Sequence, residues 1–132
     1  MISITHIDHL VLTVKDIPTT LEFYARVLGM HAIQFANLND QAPRIALKFG
    51  DQKINLHESG HELEPKAYNA IPGSADLCLI TEADIEKAIE YMRACKVDII
   101  EGPVERTGAT GELISFYIRD PDLNLIEISN QV

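Results

Sequence analysis

Two stretches of this chain, 68 residues apart, read as copies of one another. Asp16 to Phe23 runs Asp-Ile-Pro-Thr-Thr-Leu-Glu-Phe, and Asp84 to Tyr91 runs Asp-Ile-Glu-Lys-Ala-Ile-Glu-Tyr. Asp, Ile and Glu recur in place, and the Leu/Ile and Phe/Tyr exchanges conserve apolar character. The segments just before them also match, His9-Leu10-Val11-Leu12 over Asp76-Leu77-Cys78-Leu79, at a spacing of 67. Two matches in order constrain the fold strongly, because each copy must build the same supersecondary unit.

The unit can be read from residue patterning. Ile7 to Val14 alternates and is rich in β-branched residues, which predicts a strand. Asp16 is placed as an N-cap with Pro18 in the first turn, Leu21, Tyr24, Ala25 and Leu28 recur at helical spacing, and Gly29 closes the helix. Ala32 to Ala36 and Arg44 to Phe49 read as strands around a turn at Asn37–Asp40; Gly50-Asp51 turns the chain into a strand from Lys53 to His57. Polar residues with Gly60, Pro65, Pro72 and Gly73 form a linker, about 59–73. The pattern then restarts. Ala75 to Ile80 is a strand, and Thr81 or Asp84 caps a helix running to about Lys96. Val97 to Glu101, Glu112 to Ile118 and Leu125 to Ser129 are strands, with a turn at Asp120-Pro121-Asp122. The fold class expected is α+β: one domain over 1–132, made of two βαβββ modules, about 4–58 and 74–130.

At 132 residues the chain suits a single core. Its net charge of −9 argues against nucleic acid and anionic membrane as partners, since either needs basic side chains in quantity. The acidity is uneven: residues 1–66 hold six basic and eight acidic residues, and residues 67–132 hold five and twelve. Cys78 and Cys95 lack C-x-x-C spacing and are expected as buried, reduced thiols. The N-terminus lacks the regions of a signal peptide, and no run approaches the ~18 apolar residues of a membrane span, so a cytoplasmic location is expected.

Strand parity then selects candidate site residues. Leu10, Leu12 and Val14 pack on the helix, so His9 faces the other way. The same argument turns Asp76, Glu127 (between Ile126 and Ile128), and Asn55 and His57 (around Leu56) to the non-helical face. An imidazole, two carboxylates and an amide or second imidazole are a set that holds a divalent metal. A carboxylate between two apolar neighbours is expensive to bury alone, so Glu127 and Asp76 are expected to have partners. Ser115 and Tyr117 alternate with Ile114, Phe116 and Ile118 and are positioned to hydrogen-bond a small ligand. Arg119, at the strand end, suits either an anionic substrate or Asp120 and Asp122.

Asp8 to Val14 with Asp16-Ile17, Phe23-Tyr24 and Leu28-Gly29-Met30, and Ser115 to Asp122 running on to Leu125-Ile126-Glu127, resemble the vicinal-oxygen-chelate superfamily of glyoxalase I, fosfomycin-resistance proteins, extradiol dioxygenases and bleomycin-resistance proteins. Gln52 to Glu58 and Gly73 to Cys78 resemble small glyoxalase-domain proteins in particular. The resemblance implies a cupped, barrel-like mixed sheet with helices outside, a homodimer, and metal positions at His9, Asn55, Asp76 and Glu127. Asp76 in place of His shifts the preference toward Mn²⁺ or Mg²⁺, with Ni²⁺ and Zn²⁺ as the other choices. Asn55 stands where glyoxalase I carries its catalytic base, and Leu123 where a turn Gly is usual; Asn124 is the candidate for that left-handed position.

The leading expectation is a metal-dependent lyase or isomerase acting on a small oxygen-bearing substrate. Glu127 or His57 would move the proton, and His57, Ser115, Tyr117 and Arg119 would contact the substrate. The alternative is a non-catalytic small-molecule binding module, as in the bleomycin-resistance branch. Extradiol dioxygenase chemistry fits least, since one His stands where that branch uses two.

Overall fold

In the computed structural model, which describes residues 1–36 and 43–132, the β-branched run after Asp8 forms β1 (His9–Val14). Asp16 then starts α1 (Ile17–Leu28) by accepting a hydrogen bond from the Thr19 amide at 3.0 Å. This satisfies one of the helix's open amides. Gly29, at φ 66°, ends it. The helix buries Phe23, Tyr24 and Val27, with the two rings edge to face at 5.3 Å. Three strands follow, β2 (His31–Ala36), β3 (Pro43–Phe49) and β4 (Gln52–Glu58). They form an antiparallel meander whose last strand lies parallel to β1. The turn expected at Asn37–Asp40 lies outside the described residues.

The second half repeats the plan. β5 (Asp76–Ile80) leads into α2 (Ile85–Ala94), and then come β6 (Glu101–Thr107), β7 (Glu112–Arg119) and β8 (Leu125–Gln131). Asp84, rather than Thr81, is the cap: its carboxylate accepts from the Glu86 amide at 2.9 Å. The strand orders are β1-β4-β3-β2 and β5-β8-β7-β6, the same arrangement twice. The duplication also extends to the helix ends. Lys96 has φ 62°, 67 residues after Gly29, so both helices are followed by a left-handed residue although only one copy kept glycine. The chain divides into two compact units, Met1–Pro72 and Gly73–Val132. The boundary falls at the end of the expected linker. Leu12, Val14, Leu47, Ile54 and Leu56 are buried in the first unit, and Ile89, Met92, Phe116, Ile118, Ile126 and Ile128 in the second.

Four expectations need correction. The barrel-like closure does not occur: among the described residues the strands form two four-stranded sheets, neither of them closed. Each keeps two edge strands, β1 and β2 in one and β5 and β6 in the other. Four strands are too few to curl into a closed ladder, which takes roughly eight with a packed interior. Next, Val97–Ile100 is not a strand; β6 starts at Glu101 and runs through Gly102-Pro103. Proline is admissible there because β6 is an edge strand with a register shift between Glu101 and Val104. Third, the cysteines are free but not buried. Cys78 is exposed and Cys95 half-buried, because Cys78 shares strand parity with Asp76 rather than with the core-facing leucines.

Fourth, the left-handed residue of the β7–β8 turn is Leu123, at φ 68°, and not Asn124. Asn124 instead clasps the turn: its side-chain NH₂ donates to Asp120 Oδ2 at 2.8 Å, and its Oδ1 accepts from the Ala75 amide at 2.9 Å. Leu123 is 67% exposed, so its side chain gains little from packing while its backbone is strained. Leu123→Gly should therefore stabilise the protein by about 0.5–1 kcal/mol, the left-handed penalty less glycine's extra entropy loss. An unchanged or lowered denaturant midpoint would refute this.

Candidate functional site

In the first unit, parallel pairing of β1 with β4 sets His9 opposite Lys53, Val11 opposite Asn55 and Thr13 opposite His57. Leu12, Val14, Ile54 and Leu56, one step out of phase, are buried. His9, Asn55 and His57 therefore share the open face, as parity predicts. β3 adds Ala46 opposite Asn55 and Lys48 opposite Lys53. His9 is exposed, and its Nδ1 lies 2.8 Å from Asp8 Oδ2; that contact holds the Asp8 carboxyl below its usual range. Asn55 Oδ1 is buried and has no hydrogen-bond partner. A recess of about 90 Å³ opens beside it, lined by Phe35, Arg44, Ile45, Asn55, Leu56 and His57. Partial burial pushes the His57 imidazole pKa down and the Arg44 charge adds to this, with Glu62 opposing. This shift favours the neutral imidazole. The Lys53 ammonium rests 3.7 Å above the centre of the Phe35 ring.

In the second unit, β5 and β8 set Asp76 opposite Leu125 and Cys78 opposite Glu127, while β7 sets Tyr117 opposite Glu127 and Ser115 opposite Ser129. Glu127 has the partner that its position demands. Ser115 Oγ donates to Glu127 Oε2 at 2.7 Å. The Ser129 hydroxyl lies 2.6 Å from Ser115 Oγ and 3.3 Å from the same carboxylate oxygen. Cys78 Sγ extends this chain at 3.4 Å from Ser129 Oγ. Burial and the nearby Glu127 charge push the thiol pKa up, outweighing the Ser129 contact, so the thiol is protonated. Asp76 is exposed, so water solvates it and no protein partner is required.

Tyr117 does not stand alone. Arg106 Nε donates to its hydroxyl at 2.9 Å, and Arg106 Nη2 donates to Glu101 Oε2 at 3.2 Å. Arg119 Nη1 donates to the Leu123 carbonyl at 3.2 Å. A recess of about 470 Å³ opens in this unit, with Cys78, Arg106, Thr107, Leu113, Glu127 and Gln131 among its lining. The sequence reading gave no weight to Arg44, Lys53, Cys78 and Ser129. Parity already puts Lys53 and Arg44 in phase with Asn55, and Cys78 and Ser129 in phase with Glu127.

Within either unit taken alone, the donors do not complete a shell for the implied metal. The first unit offers His9 and Asn55, but a lysine stands opposite His9 in the ladder. The second offers an exposed Asp76 and a Glu127 whose Oε2 is taken up by hydroxyls. Among the described residues no group of three or more His, Cys, Asp or Glu is placed to hold a metal ion. Among the same residues no helix is long and apolar enough to cross a membrane.

Comparison with known proteins agrees with this architecture. A family model described as the Glyoxalase/Bleomycin resistance protein/Dioxygenase superfamily matches residues 6–128. A virulence protein of Salmonella typhimurium is 57% identical over 129 residues, covering 98% of this chain and 86% of that protein. A glyoxalase domain-containing protein of Mycosarcoma maydis is 47% identical over 129 residues, covering 98% of this chain and 70% of that protein. The solved structure of an integron cassette protein of V. cholerae is 56% identical, with a TM-score of 0.94 and coverage of 100% and 99% of the two chains. The chain belongs to the glyoxalase/bleomycin resistance protein/dioxygenase superfamily, in close relation to small glyoxalase-domain proteins.

Proposed function

We propose that this chain binds a small oxygen-bearing molecule and holds it without transforming it. The supporting observation is the recess of about 470 Å³ in the second unit. Pockets of roughly 300–1,000 Å³ with a few fixed polar groups are the usual form of a small-molecule site. Here the fixed groups are a carboxylate and a guanidinium whose positions are already set. Glu127 is held by Ser115 and Ser129, and Arg106 is held by Tyr117 and Glu101. A pre-oriented acceptor and donor lower the ordering penalty of binding. Asn55, an amide at the position implied for a catalytic base, cannot take up a proton near neutral pH.

The test is a thermal-shift and calorimetric survey of small hydroxy, keto and phenolic compounds, with product analysis of every binder. Binding without turnover is the expected result. Glu127→Gln should weaken binding about tenfold or more, through loss of a charge-assisted hydrogen bond. Conversion of a binder in step with protein concentration would overturn the non-catalytic reading.

A second reading, a lyase or isomerase using a divalent metal, draws on Asn55. Its buried and unpartnered Oδ1 is a hard oxygen donor of the kind that Mn²⁺ and Mg²⁺ prefer. Glu127 or His57 would then carry the proton. That reading requires metal to co-purify in about one equivalent without chelator and to be lost in Asn55→Ala. Elemental analysis showing no Mn, Mg, Ni or Zn above background removes it.

A further inference from the structure

Residues 1–8 lead into β1 without forming helix or strand, and all eight are exposed. Among the described residues their backbone pairs with no other backbone. Gln52 Nε2 donates to the Ile7 carbonyl at 3.4 Å and ties the root of the segment to the sheet. The composition is nevertheless that of a strand. Ile2, Ile4, Thr5 and Ile7 are β-branched, and Gly and Pro are absent. Ile2 and Ile4 are 85% and 81% exposed, and Ile7 67%. A strand-forming apolar segment left in water is a template for pairing with another chain.

The segment enters β1, whose outer edge is free: the strand order is β1-β4-β3-β2. It cannot turn back onto the β1 of its own molecule. Asp8 alone separates Ile7 from His9, and the tightest hairpin needs a two-residue loop. A second molecule of the chain supplies the same edge without that turn. Eight residues reach about 26 Å when extended, which is more than the six-residue β1 requires.

Residue patterning selects one register for such a pair. In an antiparallel ladder, residues directly opposite share a face. With Ile7 opposite Ile7 on the twofold axis, Ile4 stands over Leu10 and Ile2 over Leu12. Those leucines belong to the helix-facing side, where Leu12 is buried and Leu10, at the edge, is half-buried. Ser3 and Thr5 then join Val11 and His9 on the open side, and Asp8 stands opposite His6, an acceptor opposite a donor. A slip of one residue would turn Ile2 and Ile4 to the open side. Centring the ladder on Asp8 would oppose two carboxylates, and centring it on His6 would press Asp8 against Ile4. A ladder over residues 1–13 of each molecule, with the side chains beneath it, approaches the roughly 20–30 residues a side of a stable interface.

We propose that residues 1–8 are an exchange arm. In a pair of molecules each arm adds antiparallel to the free edge of the other's β1, with Ile7 on the twofold axis. The two first sheets then continue into one another, and the β1 edge is no longer open. The pairing is independent of what either recess holds.

The experiment measures the mass of the full-length protein in solution by light scattering and sedimentation. Twice the 14.7 kDa of one chain is expected. Ile2→Asp and, separately, Ile4→Asp should weaken the dimer about tenfold or more, since each sets a carboxylate against a leucine. Both positions are exposed in the single molecule, so the circular dichroism of the variants should match wild type. The register is read by oxidation in a Cys78→Ser, Cys95→Ser background. Ile7→Cys should form a disulfide-linked dimer rapidly, because residues directly opposite lie about 4.5–5.5 Å apart between Cα atoms, within disulfide reach. Ser3→Cys, whose partner is Val11, should not. A monomer at every concentration up to the solubility limit would overturn the proposal. So would a dimer that neither aspartate variant weakens, which would place the interface elsewhere. Ser3→Cys or Asp8→Cys linking as fast as Ile7→Cys would do the same, by showing a loose arm or a different axis.

Discussion

Gly102→Ala should destabilise the protein by about 2–5 kcal/mol, although it adds a single methyl group. Gly102 sits at φ 123° in the bulged start of β6, where L side chains are strained. A Cβ built there would lie 2.7 Å from the Phe116 Cα, the Phe116 Cβ and the Ser115 carbonyl oxygen. All three belong to β7, the strand adjacent to β6 in the sheet, so no flexible side-chain tip can move aside. Overpacking against backbone costs about 1–3 kcal/mol and the positive φ about 1–2 more. The displaced strand carries Ser115, which donates to Glu127, so ligand binding in the second unit should fall together with stability. Urea denaturation followed by fluorescence or circular dichroism measures the first effect. A loss below about 1 kcal/mol would mean that β6 can slide away from β7 and that the bulge is not a fixed feature.

Asp120→Ala should have an effect of similar size, about 3–4 kcal/mol. Asp120 is buried at 3% exposure, and its carboxylate receives three N–H groups: the amides of Asp122 and Asn124 at 2.9 and 3.0 Å, and the Asn124 side chain at 2.8 Å. Removing the acceptor strands buried donors at roughly 1–3 kcal/mol each, less what water recovers. The loss propagates, because the other end of the Asn124 amide holds the Ala75 backbone at the start of β5. The distinguishing readout is local. Amide exchange at Ala75 and Asn124 should accelerate in Asn124→Ala as well as in Asp120→Ala. Asp120→Ser, which keeps one acceptor, should lie between wild type and Asp120→Ala. If Asp120→Ala matches wild type, the clasp contributes nothing that water does not supply.

Much of this was written in the sequence. The alternation around Leu12 and Ile54 fixed the parity of β1 and β4, so the shared face of His9, Asn55 and His57 could be read without coordinates. Asp16, Pro18 and Gly29 delimited α1 because capping chemistry is local. β6 was missed because Gly102-Pro103 reads as a breaker, and only an edge position with a bulge makes that pair admissible. Sheet closure was also beyond reach, since whether edge strands join is decided by tertiary packing, which no local pattern encodes. At the candidate site, parity correctly demanded a partner for Glu127, yet could not name Ser115 and Ser129, because cross-strand register decides who stands opposite whom. Asp76 shows the converse error: apolar flanks suggested burial, but an edge strand leaves its open side to solvent.

The parallel pairing of β1 with β4, and of β5 with β8, also governs the order in which the chain can assemble. β2, β3 and β4 follow one another and can zip as a local meander, as can β6, β7 and β8. Strand β1 must wait for a partner 44 residues downstream, His9 for Lys53, and β5 for one 49 residues away, Asp76 for Leu125. Closing such loops before any contact rewards it is entropically costly, so the first strand of each copy should dock last. Val14→Ala in β1 should accordingly speed unfolding and leave the refolding rate almost unchanged in stopped-flow experiments, while Leu47→Ala in the meander should slow refolding. The reverse pattern would place β1 in the folding nucleus. On this view a ribosome releases each copy with its leading strand still unpaired, and the residues at its head, His9 and Asp76, reach their faces only when the copy is complete.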